Sequence, residues 1–307
     1  MNVVWMRMAN IVKVGLQSIA RNKMRSALTM LGIVIGVACV IAMVAVASGA
    51  SRSIQAQIDA LGTNFLMIFP GTTTSSGARM FSGSSNLSVE DAAAIRADCP
   101  SVAYVSATSR TSAQVVAGEL NWSTQIQGVD VDFTFIRSWN VAAGEFFTDS
   151  DVRGATKVAV LGRTVADALF PTGDAVGSTI RIKNVPFRVV GVLEKKGGST
   201  MGQDQDDAIV APYTTVMKRL EGRSRVGMIL AAASSPDRVD EAKSEIDLLL
   251  RQRHRIGPGQ DADFMIRSQE EMASTAAASS KTLSVLLGSV AAISLLVGGI
   301  GIMNIML

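Results

Sequence analysis

Histidine and cysteine are scarce in this sequence, which has one histidine and two cysteines among 307 residues. A zinc site needs several cysteine or histidine ligands and a Ser-His-Asp triad needs a histidine, so His254 is the only histidine available for either. Cys39 lies inside an apolar run and Cys99 lies well outside it, so we expect no disulfide between them. The sequence therefore predicts no catalytic residue, no metal site and no cofactor.

Most residues next to His254 in the sequence are cationic. It lies in the run Arg251-Gln252-Arg253-His254-Arg255 at the end of a predicted helix. We interpret this run as a solvated helix end, whose cations complement the helix dipole and disfavour a protonated imidazole.

Motifs for nucleotides and calcium are also missing. No G-x-x-x-x-G-K-[ST] run occurs, so ATP-driven work would require another polypeptide. The acidic groups lack the spacing of an EF-hand, and we predict that they are solvated loop residues: Asp149, Asp151, Asp204, Asp206 and Asp207.

Charged residues are absent from two long stretches, Ala27 to Ala47 and Thr282 to Leu307. The whole chain is 48% hydrophobic and 18% charged, with a mean hydropathy of +0.31, which is too apolar for an ordinary soluble domain. About 20 apolar helical residues cross the hydrocarbon core of a bilayer. Each stretch is therefore predicted to be a transmembrane helix, over 27–47 and 282–307.

The charges near the first apolar stretch predict its orientation. Five cations and no acid precede it, namely Arg7, Lys13, Arg21, Lys23 and Arg25. By the positive-inside rule the N-terminus is cytoplasmic and residues 48–281 are extracytoplasmic, in a multi-pass protein of the inner membrane. Because the net charge of +3 comes from these cations, nucleic acid is not an expected partner. Residues 1–26 form either a basic amphipathic helix on membrane lipid or an extension of the spanning helix.

A cleaved signal peptide is the alternative interpretation of the N-terminal region, because small residues follow the apolar run. The run is longer than the usual apolar region of such a peptide, about 7 to 15 residues. The second apolar stretch also predicts a membrane protein in either case.

Helical stalks are predicted next to both spans. Ile54, Ile58 and Leu61 continue the helical pattern of the first span. Ser268 and Glu271 form an S-x-x-E capping box at the start of the second helix, which has no glycine or proline from Gln269 to Leu287. The stretch 269–281 adds about 20 Å of stalk.

Three helices are predicted between the stalks. Ser88 with Asp91 is predicted to cap the first, Pro212 to open the second, and Pro236 to begin the third. The third helix has one apolar face, formed by Val239, Ala242, Ile246, Leu249 and Leu250.

Short apolar runs alternate with these amphipathic helices. Two groups of elements, over 65–108 and 208–267, read as halves of one α/β domain. The stretch of about 119–198 reads as a β-rich insertion between them, with a hairpin turn at Asn184-Val185. Gly71 to Asn86 reads as a loop.

Small residues in the apolar stretches indicate close packing between helices. A polar residue near the end of the second stretch would favour a protein partner over lipid. The candidate packing residues are Gly32, Gly36, Ser284, Gly288, Gly298, Gly301 and Asn304.

Three segments resemble the MacB-like, FtsX-type permeases of ABC transporters. They are GLQSIARNKMRSALTMLGIVIGVACVIAMVAVASGA (Gly15 to Ala50), NFLMIFPG (Asn64 to Gly71) and LLVGGIGIMNIML (Leu295 to Leu307). The resemblance implies an α+β membrane protein with two transmembrane helices and helical stalks, carrying an extracytoplasmic α/β porter-like domain with a β-rich inserted subdomain.

The resemblance also implies a function and partners. A permease of this family is a non-catalytic subunit that pairs with a second permease copy and an ABC ATPase, and that moves its periplasmic domain to export or extract a drug, peptide or lipoprotein. Some members work with a periplasmic adaptor and an outer-membrane channel. Because Met1 directly precedes the membrane-entry helix, we expect the ATPase on a separate chain. Because the family has four spans, we expect that this chain is truncated within the second.

Two other functions remain open from the sequence. A two-span sensor would bind a ligand outside and signal inward, and an FtsX-like regulator would activate a cell-wall hydrolase. No residue identifies the exported substrate.

Overall fold

The computed structural model describes residues 64–71, 74–75, 78–79, 87–171, 173–198, 204–222, 225–257 and 259–306, with helical residues scattered from Met30 to Gly49. The predicted inner-surface helix, its five cations and the first stalk lie outside these residues. The chain divides into two units, Met1–Ile54 with Thr275–Leu307, and Gln55–Ser274. Within the described residues, no helix combines the length and the apolar character that a membrane crossing requires.

The larger unit is built on a ten-stranded sheet. Its strands are β1 (Phe65–Pro70), β4 (Val102–Ala117), β5 (Leu120–Val129), β6 (Val141–Gly144), β7 (Val158–Leu161), β8 (Thr179–Ile182), β9 (Val185–Leu193), β10 (Ala208–Pro212), β11 (Met228–Ala233) and β12 (Phe264–Ser268). Their order is β12-β1-β11-β4-β5-β10-β7-β9-β6, while β8 pairs with β4 and β9. The two-residue strands β2 (Thr74–Ser75) and β3 (Ala78–Arg79) pair with each other inside the predicted loop.

Strand β4 divides this sheet into two parts. Residues 102–108 pair with β11, whereas residues 109–117 pair with β5. We call β12, β1, β11 and the first part of β4 the first half-sheet. The remaining strands with the second part of β4 are the second half-sheet.

Strand β10 pairs with other strands than the sequence predicted. The sequence grouped Ala208 to Ala211 with the strands of the first half-sheet, but β10 pairs in parallel with β5 and antiparallel with β7. All five of its residues are buried, so its sequence is suited to any central position and does not select its neighbours. Within its described residues, the region predicted as a β-rich insertion also contains three helices: α2 (Phe133–Arg137), α3 (Asp149–Gly154) and α4 (Arg163–Leu169).

Helices α1 (Val89–Asp98) and α6 (Val239–Arg253) cover the first half-sheet. A 3₁₀ turn, Pro236–Arg238, leads into α6, and Ala242, Ile246 and Leu250 form its buried face, as the periodicity predicted. These side chains pack on strand residues of the same core, including Leu66 and Ile229. Each fully buried Leu or Ile contributes about 1.5–3 kcal/mol, so tertiary burial stabilises this helix more than its propensity does.

The second half-sheet has apolar cores on both faces. One face packs on α4 through Val165 and Leu169, and the other packs on α2 and nearby aromatic residues such as Phe133 and Trp139. Helix α5 (Tyr213–Thr215) follows β10 at Pro212, as predicted, and continues as a π-helical turn, Val216–Glu221.

The hairpin between β8 and β9 turns one residue earlier than predicted. Lys183 and Asn184 have φ values of 46° and 69°, while Val185 is already in β9. A two-residue turn of type I′ needs positive φ at both central residues. Asparagine tolerates that conformation and a β-branched valine does not, so the turn centres on Lys183-Asn184.

Candidate functional site

The candidate site begins where the sheet meets the long helix α7 (Gln269–Met306), which directly follows the last residue of β12. Ser268 pairs with Leu66 in the sheet. Its hydroxyl accepts a hydrogen bond from the Glu271 N–H (3.1 Å), and the Glu271 carboxylate accepts one from the Ser268 N–H (3.2 Å). These are the two bonds of a capping box at the predicted residues, and they fix the first turn of α7 to the edge of the sheet.

Helix α6 makes a second connection to the first turn of α7. The Lys243 ammonium forms an ion pair with the Glu271 carboxylate. Its hydrogen bond, followed by the bond from the Ser268 N–H, lowers the pKa of Glu271. Both side chains are partly exposed, so the pair contributes less than about 1 kcal/mol to stability. The main effect of this ion pair is to hold the first turn of α7 beside α6.

The opposite end of α6 is bonded to α1 through Asp91. This carboxylate is buried and accepts hydrogen bonds from Arg253 Nε (2.7 Å) and from the Ser88 N–H (2.9 Å), and lies 3.2 Å from His254 Nε2. Burial raises the pKa of Asp91, but the bonds from Arg253, Ser88 and His254 outweigh it and leave that pKa lowered. Asp91 is therefore an ionised link between two helices.

His254 lies between two carboxylates. Its Nδ1 is 2.8 Å from Asp263 Oδ1, its Nε2 faces Asp91, and only 10% of its side chain is exposed. Burial lowers the pKa of His254, but the bonds to Asp263 and Asp91 prevail and raise it. An imidazolium can donate from both ring nitrogens, whereas a neutral ring can donate from one.

The prediction of a solvated helix end that disfavours imidazolium is therefore wrong for His254. Its cationic neighbours are adjacent along the chain, whereas Asp91 is 163 residues away in sequence and Asp263 is nine away. Only folding places these acids against the ring.

This cluster does not form a catalytic triad. The nearby Ser88 hydroxyl donates to Asp91 Oδ2 (2.7 Å), so the hydrogen-bonded order is Ser-Asp-His-Asp. A triad needs the serine bonded to the histidine, which would act as its base. The cysteine of this domain is equally unreactive, because burial, and then the charges of Glu245 and Asp98, raise the pKa of Cys99 to about 11.

A third set of bonds joins α6 to the start of β4. The Ser101 N–H and hydroxyl donate to the Glu245 carboxylate (3.0 and 2.8 Å), and Arg238 donates to the Ser101 hydroxyl (2.9 Å). Helix α6 thus contacts α1, β4 and α7 through polar groups. We call these residues the α6 cluster: Asp91, Ser101, Arg238, Lys243, Glu245, Arg253, His254, Asp263 and Glu271.

Most of the predicted packing residues lie where side chains are not described. Gly32 and Gly36 fall outside the described residues, and only the helical backbone is described at Ser284, Gly298, Gly301 and Asn304. At Gly288, a Cβ atom would lie 3.9 Å from the Met43 Sδ. Helix packing at these positions stays a prediction, and the cap residues are the part of the predicted site whose contacts can be described.

The architecture and the sequence identify a class of protein. Residues 26–249 match the family model of the MacB-like periplasmic core domain, and the chain belongs to that family.

Named relatives are similar over almost the whole chain. The macrolide export ATP-binding/permease proteins MacB of Syntrophobacter fumaroxidans and Azoarcus are 38% and 40% identical, covering 95% and 96% of this chain and 48% and 44% of those proteins. The pyoverdine export ATP-binding/permease protein PvdT of Pseudomonas aeruginosa is 41% identical, covering 93% of this chain and 42% of that protein. The chain thus spans less than half the length of these relatives.

Solved structures share the fold. The periplasmic region of MacB from Actinobacillus actinomycetemcomitans matches with a TM-score of 0.60 at 25% identity, covering 72% of this chain and 96% of that one. The extracellular domain of the noncanonic ABC-type transporter YknZ from Gram-positive bacteria matches with a TM-score of 0.55 at 18% identity, covering 67% of this chain and all of that one. The second match concerns the fold alone.

Proposed function

We propose that this chain is the permease part of a MacB-type ABC transporter, in which ATP hydrolysis moves the extracytoplasmic domain to export or extract a substrate. The observation that carries the proposal is the continuity from β12 into α7, a single 38-residue helix. Ser268, Glu271 and Lys243 fix its first turn to the sheet and to α6. These bonds hold the first turn of α7 to the domain, and we infer that movement of this helix is passed to the domain.

The membrane arrangement is part of the same proposal. Transmembrane helices over 27–47 and 282–307, a cytoplasmic N-terminus and a domain over 48–281 are supported by the distribution of apolar and basic residues. The proposed partners are an ABC ATPase, a second permease copy, a periplasmic adaptor and an outer-membrane channel. The permease itself is non-catalytic.

The test is to break α7 in its polar stretch. Ala277 is exposed on this helix, and proline there would remove the hydrogen bond to residue 273 and kink the helix, at about 3 kcal/mol of local cost. We expect Ala277→Pro, placed in the full-length transporter, to abolish export while ATP hydrolysis continues. Ala277→Ser is the matched control and should retain both activities. Wild-type export by the proline variant would reject the mechanical role of α7.

A further inference from the structure

A cavity of about 260 Å³ lies between helix α1, strand β4, helix α3 and Tyr213 of α5. Helix α1 covers the first half-sheet and α3 belongs to the inserted region, so the cavity separates these two parts of the domain. Short side chains on α1 leave the space open, since longer ones would fill it. Its apolar lining includes Ala92, Ala93, Ala97, Val105, Ala107 and Val152.

The charged side chains that line the cavity are paired with one another. Arg96 bonds to Asp130 (3.1 Å), and Arg153 forms an ion pair with Asp149. Arg96 also bonds to Asp132 (2.8 Å), so its positive charge is fully compensated. A charged ligand would have to enter without a counterion of its own or break one of these pairs, and both are unfavourable where water is partly excluded. The lining therefore favours a neutral ligand.

Tyr213 is the polar side chain of this lining that is not already bonded. It is half-buried, and its hydroxyl has no hydrogen bond to any residue that the structure describes. Burial, and then the charge of Asp130, raise the pKa of Tyr213, so the hydroxyl is protonated at neutral pH. A phenol hydroxyl can donate one hydrogen bond and accept another. The described lining is thus apolar or self-paired, apart from this hydroxyl.

We propose that this cavity binds a small, neutral, mainly apolar molecule that carries one hydroxyl group, which bonds to Tyr213. Small-molecule sites are typically concave and apolar, with a few polar groups that fix the orientation of the ligand. An apolar cavity of about 150 Å³ holds a benzene ring, so the space beside α1 has room for two fused rings. The site does not depend on the transport proposal.

Equilibrium dialysis of the full chain with 2-naphthol tests the site. Detergent micelles at the same concentration on both sides of the dialysis membrane cancel the partition of the probe into detergent. We expect saturable binding. The charged analogues 2-naphthoate and 2-naphthylmethylammonium should each bind about tenfold more weakly or worse, because neither finds an unpaired charge in the lining.

Two pairs of variants locate the probe. Ala93→Leu fills the space from an exposed position of α1 and should weaken binding by about tenfold or more. Ala142→Leu, the same change at an exposed residue of β6, should bind as wild type does. Tyr213→Phe removes only the hydroxyl and should weaken binding by about fivefold, the loss of one neutral hydrogen bond. Tyr104→Phe, at the other tyrosine of the chain, should have no effect.

Several results would overturn the proposal. They are the absence of saturable binding, unchanged binding in Ala93→Leu or Tyr213→Phe, and an equal loss in Ala142→Leu. Binding of either charged analogue as tight as that of 2-naphthol would reject a neutral ligand. Tighter binding of N-acetyltryptophanamide than of 2-naphthol would show instead that the cavity receives an aromatic side chain of a protein.

Amide hydrogen exchange in the unmutated chain covers the case of a variant that fails to fold. Saturating 2-naphthol should slow exchange in both α1 and α3, since residues of both helices line the cavity. Helix α4, which has no residue in the described lining, should exchange at the same rate. Unchanged exchange in α1 and α3 would reject the site.

Discussion

The two half-sheets are covered by helices that are held in different ways. Helix α6 on the first is bonded through charged groups at both ends and along its length, to Asp91, Ser101 and Glu271. Helix α4 on the second is held mainly through buried Val165 and Leu169, with one side-chain bond to a described residue outside it, from the Thr164 hydroxyl to Asp204 Oδ2 (2.5 Å). Its Arg163–Asp167 ion pair lies within the helix itself. Hydrophobic packing is insensitive to pH, whereas ion pairs depend on both pH and salt. The first half-sheet is thus the part whose connection to α7 can be altered by ionisation.

The largest expected effect comes from removing Asp91. Asp91→Ala leaves Arg253 and His254 without this carboxylate and also breaks the cap of α1, so we expect a loss of about 3 to 5 kcal/mol in the free energy of unfolding. The measurement is chemical unfolding of the chain, followed by circular dichroism.

Asp151 is the matched control for that change. It occupies the same position of a capping box, with Thr148, at the start of α3. Asp151→Ala should cost only about 1 kcal/mol, the value of a cap without a buried ion pair. Equal losses in the two variants would contradict the contrast between the half-sheets.

The stability of the second half-sheet should decrease more when a side chain is enlarged than when a charge is removed. Gly144 has a φ of 76°, and a Cβ there would lie 2.2 Å from the Val190 carbonyl oxygen. Gly144→Ala should therefore cost about 2 to 3 kcal/mol, by the same amount at low and high salt. Gly173→Ala, at a residue with open space around it, should change stability by less than about 1 kcal/mol. A salt-dependent loss at Gly144 would argue against packing as its cause.

The stability of the first half-sheet should depend on pH because His254 titrates. Its folded pKa lies above the ordinary value of 6.5, so its stabilisation is complete below pH 6.5 and is lost as the pH rises through the folded pKa. Unfolding experiments from pH 6 to pH 9 should show a decline that His254→Gln removes. An identical decline in that variant would place the titrating group elsewhere. Asp91 and Glu271 have lowered pKa values, so their stabilisation is lost at acid pH instead.

The smallest effect on stability is expected at the contact between α6 and α7. Lys243→Gln should cost about 0.5 kcal/mol and accelerate amide hydrogen exchange in the first turn of α7. Arg163→Gln removes an exposed pair of α4 and should cost a similar amount without changing exchange in α7. If both variants leave α7 unchanged, the ion pair does not hold that turn.

Local patterns were sufficient for much of the fold. Ser88 with Asp91 and Ser268 with Glu271 marked helix starts, because a capping box involves residues three apart. The buried stripe of α6 followed from its helical period. Strand β10 could not be assigned in this way, since its uniformly buried residues carry no information about which strands flank it.

The sequence by itself determined the apolar segments, the cap residues, most strands and the resemblance to MacB-type permeases, because each depends on residues close together in the chain. Tertiary structure alone decided the pairing of β10 and the environment of His254. The two carboxylates beside His254 come from the first turn of α1 and from the residue before β12. Electrostatic effects depend on distance in space, and for those side chains the chain sequence gives no measure of it.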